Sequence, residues 1–252
     1  MKTFSVKKPT QAKPKEKGFI LYEGPSALDG QPIVVIATMT TSNAKTGDMV
    51  QTWILRADIE PHHATKSGKD SSVCGNCPQR HYNGGACYVV THQAPLSIYR
   101  SYKRGLYSVY DVAQHQRHFE GRALRLGAYG DPAAAPFEVW LPLVEVSRTH
   151  TGYTHQITHA AFDDRFLTIC QVSADTPKQA QKFQSMGART FRVALPNDHL
   201  ADNEIECLAD SKGIQCIDCG LCDGQTKNIA IVVHGQRAAS FNSNLINVLE
   251  VA

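Results

Sequence analysis

The sequence lacks any apolar run long enough to cross a bilayer, which takes about 18 consecutive residues, and nothing near its start has the apolar centre of a secretory leader. These absences point to a soluble, cytoplasmic protein with no membrane partner. Also missing are the Gly-rich dinucleotide and Walker phosphate loops, a Gly-x-Ser-x-Gly elbow and a His-Glu-x-x-His helix. The familiar dinucleotide, NTPase, hydrolase and zincin classes are therefore not indicated. Excess charge is scarce: a formal +3 over 252 residues gives no uniformly basic surface, so nucleic acid is neither implied nor excluded. No internal repeat is visible.

What is present is enough apolar sequence, 42%, for one substantial core. Residues 1–17 carry six lysines among Pro and polar residues and read as a disordered basic tail, leaving 18–252 as a single α/β metal-binding domain. Pro32 to Ala37 and Gln51 to Arg56 form a β-prone pair around a turn-rich segment, which predicts an opening hairpin. Glu60 to Gly85 has no periodicity and reads as a long loop that a ligand must order. A helix is expected from Pro95 to Arg104. From Ala123 onward β-prone runs (Ala123 to Ala128, Tyr153 to Ile157, Leu167 to Ser173, Ala188 to Val193, Asn228 to Val233) alternate with helices at Phe137 to Val146 and Thr176 to Gly187. That alternation argues for parallel strands covered by helices, as an open sheet or a partial or complete barrel.

Seven of the eight cysteines fall into two tight groups, and in a reducing compartment metal explains this better than disulfides. Cys170, in an apolar run, reads as a small buried hydrophobe. Cys207, Cys216, Cys219 and Cys222 have Cx8CxxCxxC spacing, which wraps a 4Fe-4S cube with an all-cysteine shell. Zinc is the alternative, because both metals take the same ligands. Cys74, Cys77 and Cys87 leave two options open. With His81 as a fourth ligand they form a zinc loop of structural or RNA-contacting type. Alone, they leave one iron of a 4Fe-4S cube open for redox or substrate binding.

The three-cysteine loop after an early strand and before a helix, followed by a strand ending in Gly127-Ala-Tyr-Gly-Asp-Pro132, resembles the layout of radical S-adenosylmethionine (SAM) enzymes. The resemblance implies a cluster on Cys74, Cys77 and Cys87 whose open iron chelates SAM, with Gly130 and Asp131 contacting its amino group. The spacing departs from the family's CxxxCxxC, being CxxCx9C here. The chain also resembles a group of phage- and plasmid-encoded proteins through its Cys-Gly-x-Cys-Pro loop, Gly-Asp-Pro turn, Gly-Tyr-Thr-His-Gln stretch and terminal Cys-x-x-Cys-Gly-Leu-Cys. That likeness covers most of residues 34 to 235 and implies architecture, not a reaction.

Strand alternation places Tyr153, His155 and Ile157 on one face, where Tyr153 and His155 line a pocket if that face points inward. Arg125 and Arg192, both within strands, need partners such as Asp131, Asp175 or Glu138, or else a bound carboxylate or phosphate. Asp175 caps a helix or reaches the pocket. His62, His63 and His150 are given no role. The expectation is a partial, radical-SAM-like (β/α) barrel with cysteine-rich metal-binding loops and one or two 4Fe-4S clusters. It would cleave SAM reductively with an electron donor as partner. The alternative is a non-catalytic zinc- or iron-sulfur-stabilised protein that binds nucleic acid or a host protein.

Overall fold

A computed structural model describes residues 16–234 and 238–241 of the chain. Of the basic tail expected at 1–17, all but Glu16 and Lys17 lie outside the described residues.

The opening hairpin is present and has a third strand in front of it. Strand β1 (Gly18–Pro25) pairs antiparallel with β2 (Pro32–Thr38), which pairs antiparallel with β3 (Val50–Arg56) in a register running from Ile33 opposite Arg56 to Thr38 opposite Gln51. Five consecutive β2 residues, Ile33 to Ala37, are fully buried, as a β-branched run covered on both faces should be. They anchor the main core, which extends to Phe119, Leu124, Leu126, Trp140 and Phe166.

After β3 the chain is more regular than its composition implies. The segment expected as a loop holds α1 (Pro61–Ser67), α2 (Ser71–Cys74) and a 3-10 turn at His81–Asn83, and α3 (Ala94–Lys103) follows with Ile98 and Tyr99 inward. Short β4 (Ser108–Val109) joins the outer edge of β1, then α4 (Val112–His115) leads to β5 (Ala123–Tyr129), parallel to β3. The helix expected over 137–146 is divided in two. A 3-10 turn covers Phe137–Val139, and α5 (Leu141–Val146) starts afresh with Pro142 in its first turn, where the missing N–H costs nothing. Trp140 at the junction is fully buried and donates its indole N–H to the Pro132 carbonyl at 3.0 Å.

Strands β6 (Thr149–Thr151) and β7 (Tyr153–Thr154) flank Gly152, and β7 is shorter than the five residues expected. Then come β8 (Gln171–Ala174), α6 (Pro177–Ser185), β9 (Thr190–Ala194), β10 (Glu204–Glu206), α7 (Leu208–Ser211), α8 (Cys216–Cys219) and β11 (Asn228–Val232). The front half of the strand expected at 167–173 is instead a 3-10 turn, Asp164–Thr168. Helix α6 starts as expected, with the Thr176 hydroxyl accepting from the Gln179 N–H at 3.1 Å and Pro177 at its first position.

Two sheets result. The first has the order β4-β1-β2-β3-β5-β6 and is mixed; the second, β10-β11-β9-β8-β7, is parallel throughout. Only Gly152 separates β6 at the edge of the first from β7 at the edge of the second. Its N–H donates to the Cys222 carbonyl and its carbonyl accepts from Gln171. Every pairing from β3 onward is parallel, so functional side chains should collect at the carboxyl ends of these strands. Among the described residues no helix is long and apolar enough to cross a membrane.

Candidate functional site

The first cysteine group sits in the connection after β3, and protein side chains order it. Helix α2 delivers Cys74 and stops at Gly75, whose φ of 52° and close approach to the Gln156 amide leave no room for a side chain. Fully buried Gln156 accepts from the Asn76 N–H (3.1 Å) and donates to the Cys74 carbonyl (3.0 Å) and to Asp131 Oδ2 (3.1 Å). Arg80 pairs with buried Asp70 and also donates to the Gly68 and Gly75 carbonyls. Gln79 accepts from the Ala86 N–H and donates to Asp175 at 2.9 Å. These bonds fold the segment from Cys74 to Cys87 back on itself.

Asp131 is the hub on the opposite wall. Its Oδ1 accepts from the Ala133 N–H at 3.0 Å, and its Oδ2 accepts from the His155 N–H at 2.8 Å as well as from Gln156. Burial pushes this carboxyl up, and those three hydrogen bonds oppose the rise. Gly130, with φ of 82°, lets the turn after β5 lie against Ile54 and the Val73 carbonyl.

The second group is held from other directions. Cys207 follows β10 and donates its N–H to Ala230 of β11. The Cys216 and Ile217 N–H groups donate to Lys45 and Thr46 in the turn between β2 and β3, and Gln215 reaches the Ala44 carbonyl. Burial pushes the Cys222 thiol up to about 12; a hydrogen bond from Tyr153 works the other way, and the neighbouring cysteines add to the rise.

Both groups face one cavity of about 500 Å³. Cys74, Cys77 and Cys87 line one part of it and Cys207, Cys216, Cys219 and Cys222 another. Gly130, Asp131, Tyr153 and His155, all expected from sequence, are in its wall, as are Arg125 and Asp175. His155 Nε2 lies 3.9 Å from Cys77 Sγ. Burial disfavours charge on this ring, but Cys77, Asp175 and Asp131 outweigh it and push its pKa up to about 10.

Other polar residues fall elsewhere. Arg192 does not meet Asp131, Asp175 or Glu138; it forms a bidentate pair with buried Glu204 and a second contact to Asp198. Glu138 instead pairs with Arg165. Asp175 reaches the cavity, and its neighbour Thr176 caps the helix. His81 Nε2 is 2.6 Å from the Cys87 carbonyl oxygen. Among the described residues, the one set of three metal-ligating side chains whose ligand atoms lie mutually within 4.8 Å is Glu60, His62 and His63, so no three cysteine sulfurs stand that close. Gln156 and Arg80 were invisible as site residues, since an isolated Gln or Arg carries no pattern; the one signal was Gln156 lying beside Tyr153 and His155 in the same short stretch.

Comparison with protein-family models, with curated proteins and with solved structures finds no match for the chain.

Proposed function

We propose that this is an iron-sulfur protein with two 4Fe-4S clusters around one chamber, acting on SAM in the manner of radical SAM enzymes. The observation that carries the reading is that cysteines more than a hundred residues apart line a single cavity on a predominantly parallel β framework. In this reading the strands from β3 onward form the partial barrel and the cysteine loops close over it.

The donor set fits iron-sulfur better than closed zinc. Four sulfurs about 2.3 Å from one zinc ion stand roughly 3.8 Å apart. A cube interposes its own irons and sulfides and spreads its ligands wider, in keeping with cysteine sulfurs that make no three-membered set within 4.8 Å. His81 is turned to a carbonyl, and among the described residues no His, Asp or Glu joins Cys74, Cys77 and Cys87 in a set within 4.8 Å. This group would leave one iron open, while Cys207, Cys216, Cys219 and Cys222 would close the second cluster.

The open cluster would supply the electron that cleaves the sulfonium of SAM. The chain's own residues set the stage. Gln156, Arg80 and Gln79 fix the loop, and His155 offers a ring N–H to Cys77. Asp131 holds the backbone of His155; three hydrogen bonds leave its carboxylate about one lone-pair site to accept from an ammonium. Burial pushes the Cys74, Cys216 and Cys222 thiols up, so their loading is coupled to release of their protons.

The test is SAM turnover by anaerobically reduced protein. Formation of 5'-deoxyadenosine by the wild type and its loss in Cys77→Ala, with the second cluster retained, supports the reading. Turnover that persists in Cys77→Ala rejects the assigned cluster.

A further inference from the structure

We infer that Arg125 is the anion receptor of the chamber, holding an organic oxyanion, a carboxylate or a phosphate, carried on an apolar body. The inference rests on the cavity being a substrate chamber between two metal centres.

Strand β5 aims Arg125 into the cavity wall alongside Gly127 and Tyr129. The other inward guanidiniums, Arg56, Arg80 and Arg192, each pair with a carboxylate. Arg125 has no such pair among the described residues. Among the described residues the one hydrogen bond its side chain makes is from Nη2 to the Tyr88 hydroxyl at 2.8 Å, so there most of its five N–H donors are uncommitted. Arg125 is half-buried, and a guanidinium partly withdrawn from water without a counter-carboxylate is stabilised by an anion, whose carboxylate or phosphate oxygens its planar fork matches. The groups in the fold that favour its charge are the phenols of Tyr88 and Tyr153 and the Cys216 thiol, and Cys216 is committed to the second metal centre in our reading.

The rest of the wall defines the ligand body. Phe191, Val193, Leu208, Ile229, Ile231 and Phe241 present apolar surface to the same cavity. An ion without an apolar portion would leave this surface wet, so an anionic head with a hydrophobic or aromatic body fits best. Tyr88 is 72% exposed, and its hydroxyl occupies the Arg125 donor that an incoming oxyanion would take. The ligand therefore displaces the phenol as it enters.

Calorimetry with phenylacetate, phenyl phosphate and neutral benzyl alcohol tests this on anaerobically purified full-length protein, with iron and sulfide measured on every sample. The expected result is that at least one anion binds and benzyl alcohol does not, the stronger anion identifying the head group. Arg125→Gln should weaken that anion at least tenfold at unchanged iron and sulfide. Tyr88→Phe, at an exposed position that should not disturb folding, should tighten it about threefold. Equal affinity for benzyl alcohol, or unchanged anion affinity in both variants, overturns the proposal. So does an Arg125→Gln protein that loses sulfide yet binds the anion as before, which would make Arg125 a counter-charge to the second cluster. Anion binding by a protein without iron or sulfide would sink the metal reading and leave the receptor standing.

Discussion

Tyr153 and His155, two residues apart, reach opposite cysteine groups: Tyr153 packs against Cys207 and Cys222, where its hydroxyl acts on the Cys222 thiol, and His155 Nε2 stands 3.9 Å from Cys77 Sγ. Strand β7 ends at Thr154 and the chain bends at His155, so one short stretch after Gly152 serves both sites. Hydrogen bonds to ligand sulfurs raise a cluster's reduction potential by stabilising the extra negative charge. Tyr153→Phe should therefore lower the potential of the second cluster by about 40 mV, the one-electron equivalent of a hydrogen bond worth about 1 kcal/mol, and leave the first unmoved. Redox titration followed by electron paramagnetic resonance reads both; a shift in the first cluster alone would refute the assignment.

Gln156 links Asn76, Cys74 and Asp131 from a fully buried position. Gln156→Leu keeps the volume but leaves those backbone and carboxylate groups unpaired. It should cost about 2 to 4 kcal/mol and loosen the first cysteine loop before the second. Urea unfolding gives the first quantity, and hydrogen exchange at residues 74–87 the second; a fully protected loop in the variant would contradict the role given to Gln156.

The Arg192 and Glu204 side chains are 1% and 2% exposed and pair at 2.8 Å. Removing one charge strands the other, so Arg192→Leu should destabilise the fold by about 3 to 5 kcal/mol. The double variant Arg192→Leu/Glu204→Leu should lose distinctly less. Equal losses in single and double variants would show that packing, not charge, sets the cost.

Burial lowers the His150 pKa from its ordinary 6.5, and the hydrogen bond to the Asp223 carbonyl only partly opposes this. Above pH 6.5 the ring is neutral whether folded or unfolded, so it has no effect. As pH falls below 6.5 the unfolded chain takes up the proton first, and stability drops. Wild type should lose stability between pH 7 and 5, and His150→Phe should lose less over the same range in urea melts; parallel losses would mean His150 is not the group responsible.

Strong local signals carried most of the framework. The β-branched runs at 32–38 and 228–232 and the Thr176-Pro177 start of α6 stand where pattern and capping chemistry put them. Tyr153 and His155 were picked out by an expected strand alternation, but β7 ends at Thr154, the chain bends at His155, and Ile157, placed on the same face, packs against Val172, Ala180 and Phe183 instead. Segment 60–85 was misjudged, since α1 and α2 are short and are stabilised by tertiary partners such as the Arg80–Asp70 pair rather than by an apolar stripe. That both cysteine groups share one cavity was not legible at all. Spacing reports what each group can wrap, whereas their meeting depends on the parallel order of β5, β6 and β7 through β11 and on the turn at 44–46 that receives α8.

The most direct test of two clusters around one chamber is iron, zinc and acid-labile sulfide per chain in anaerobically purified protein, with paramagnetic resonance spectra of the reduced sample before and after SAM. The account predicts about eight irons and eight sulfides, the sum of two four-iron cubes, and a spectrum that shifts when SAM is added. About two zincs, no sulfide and no signal would contradict it.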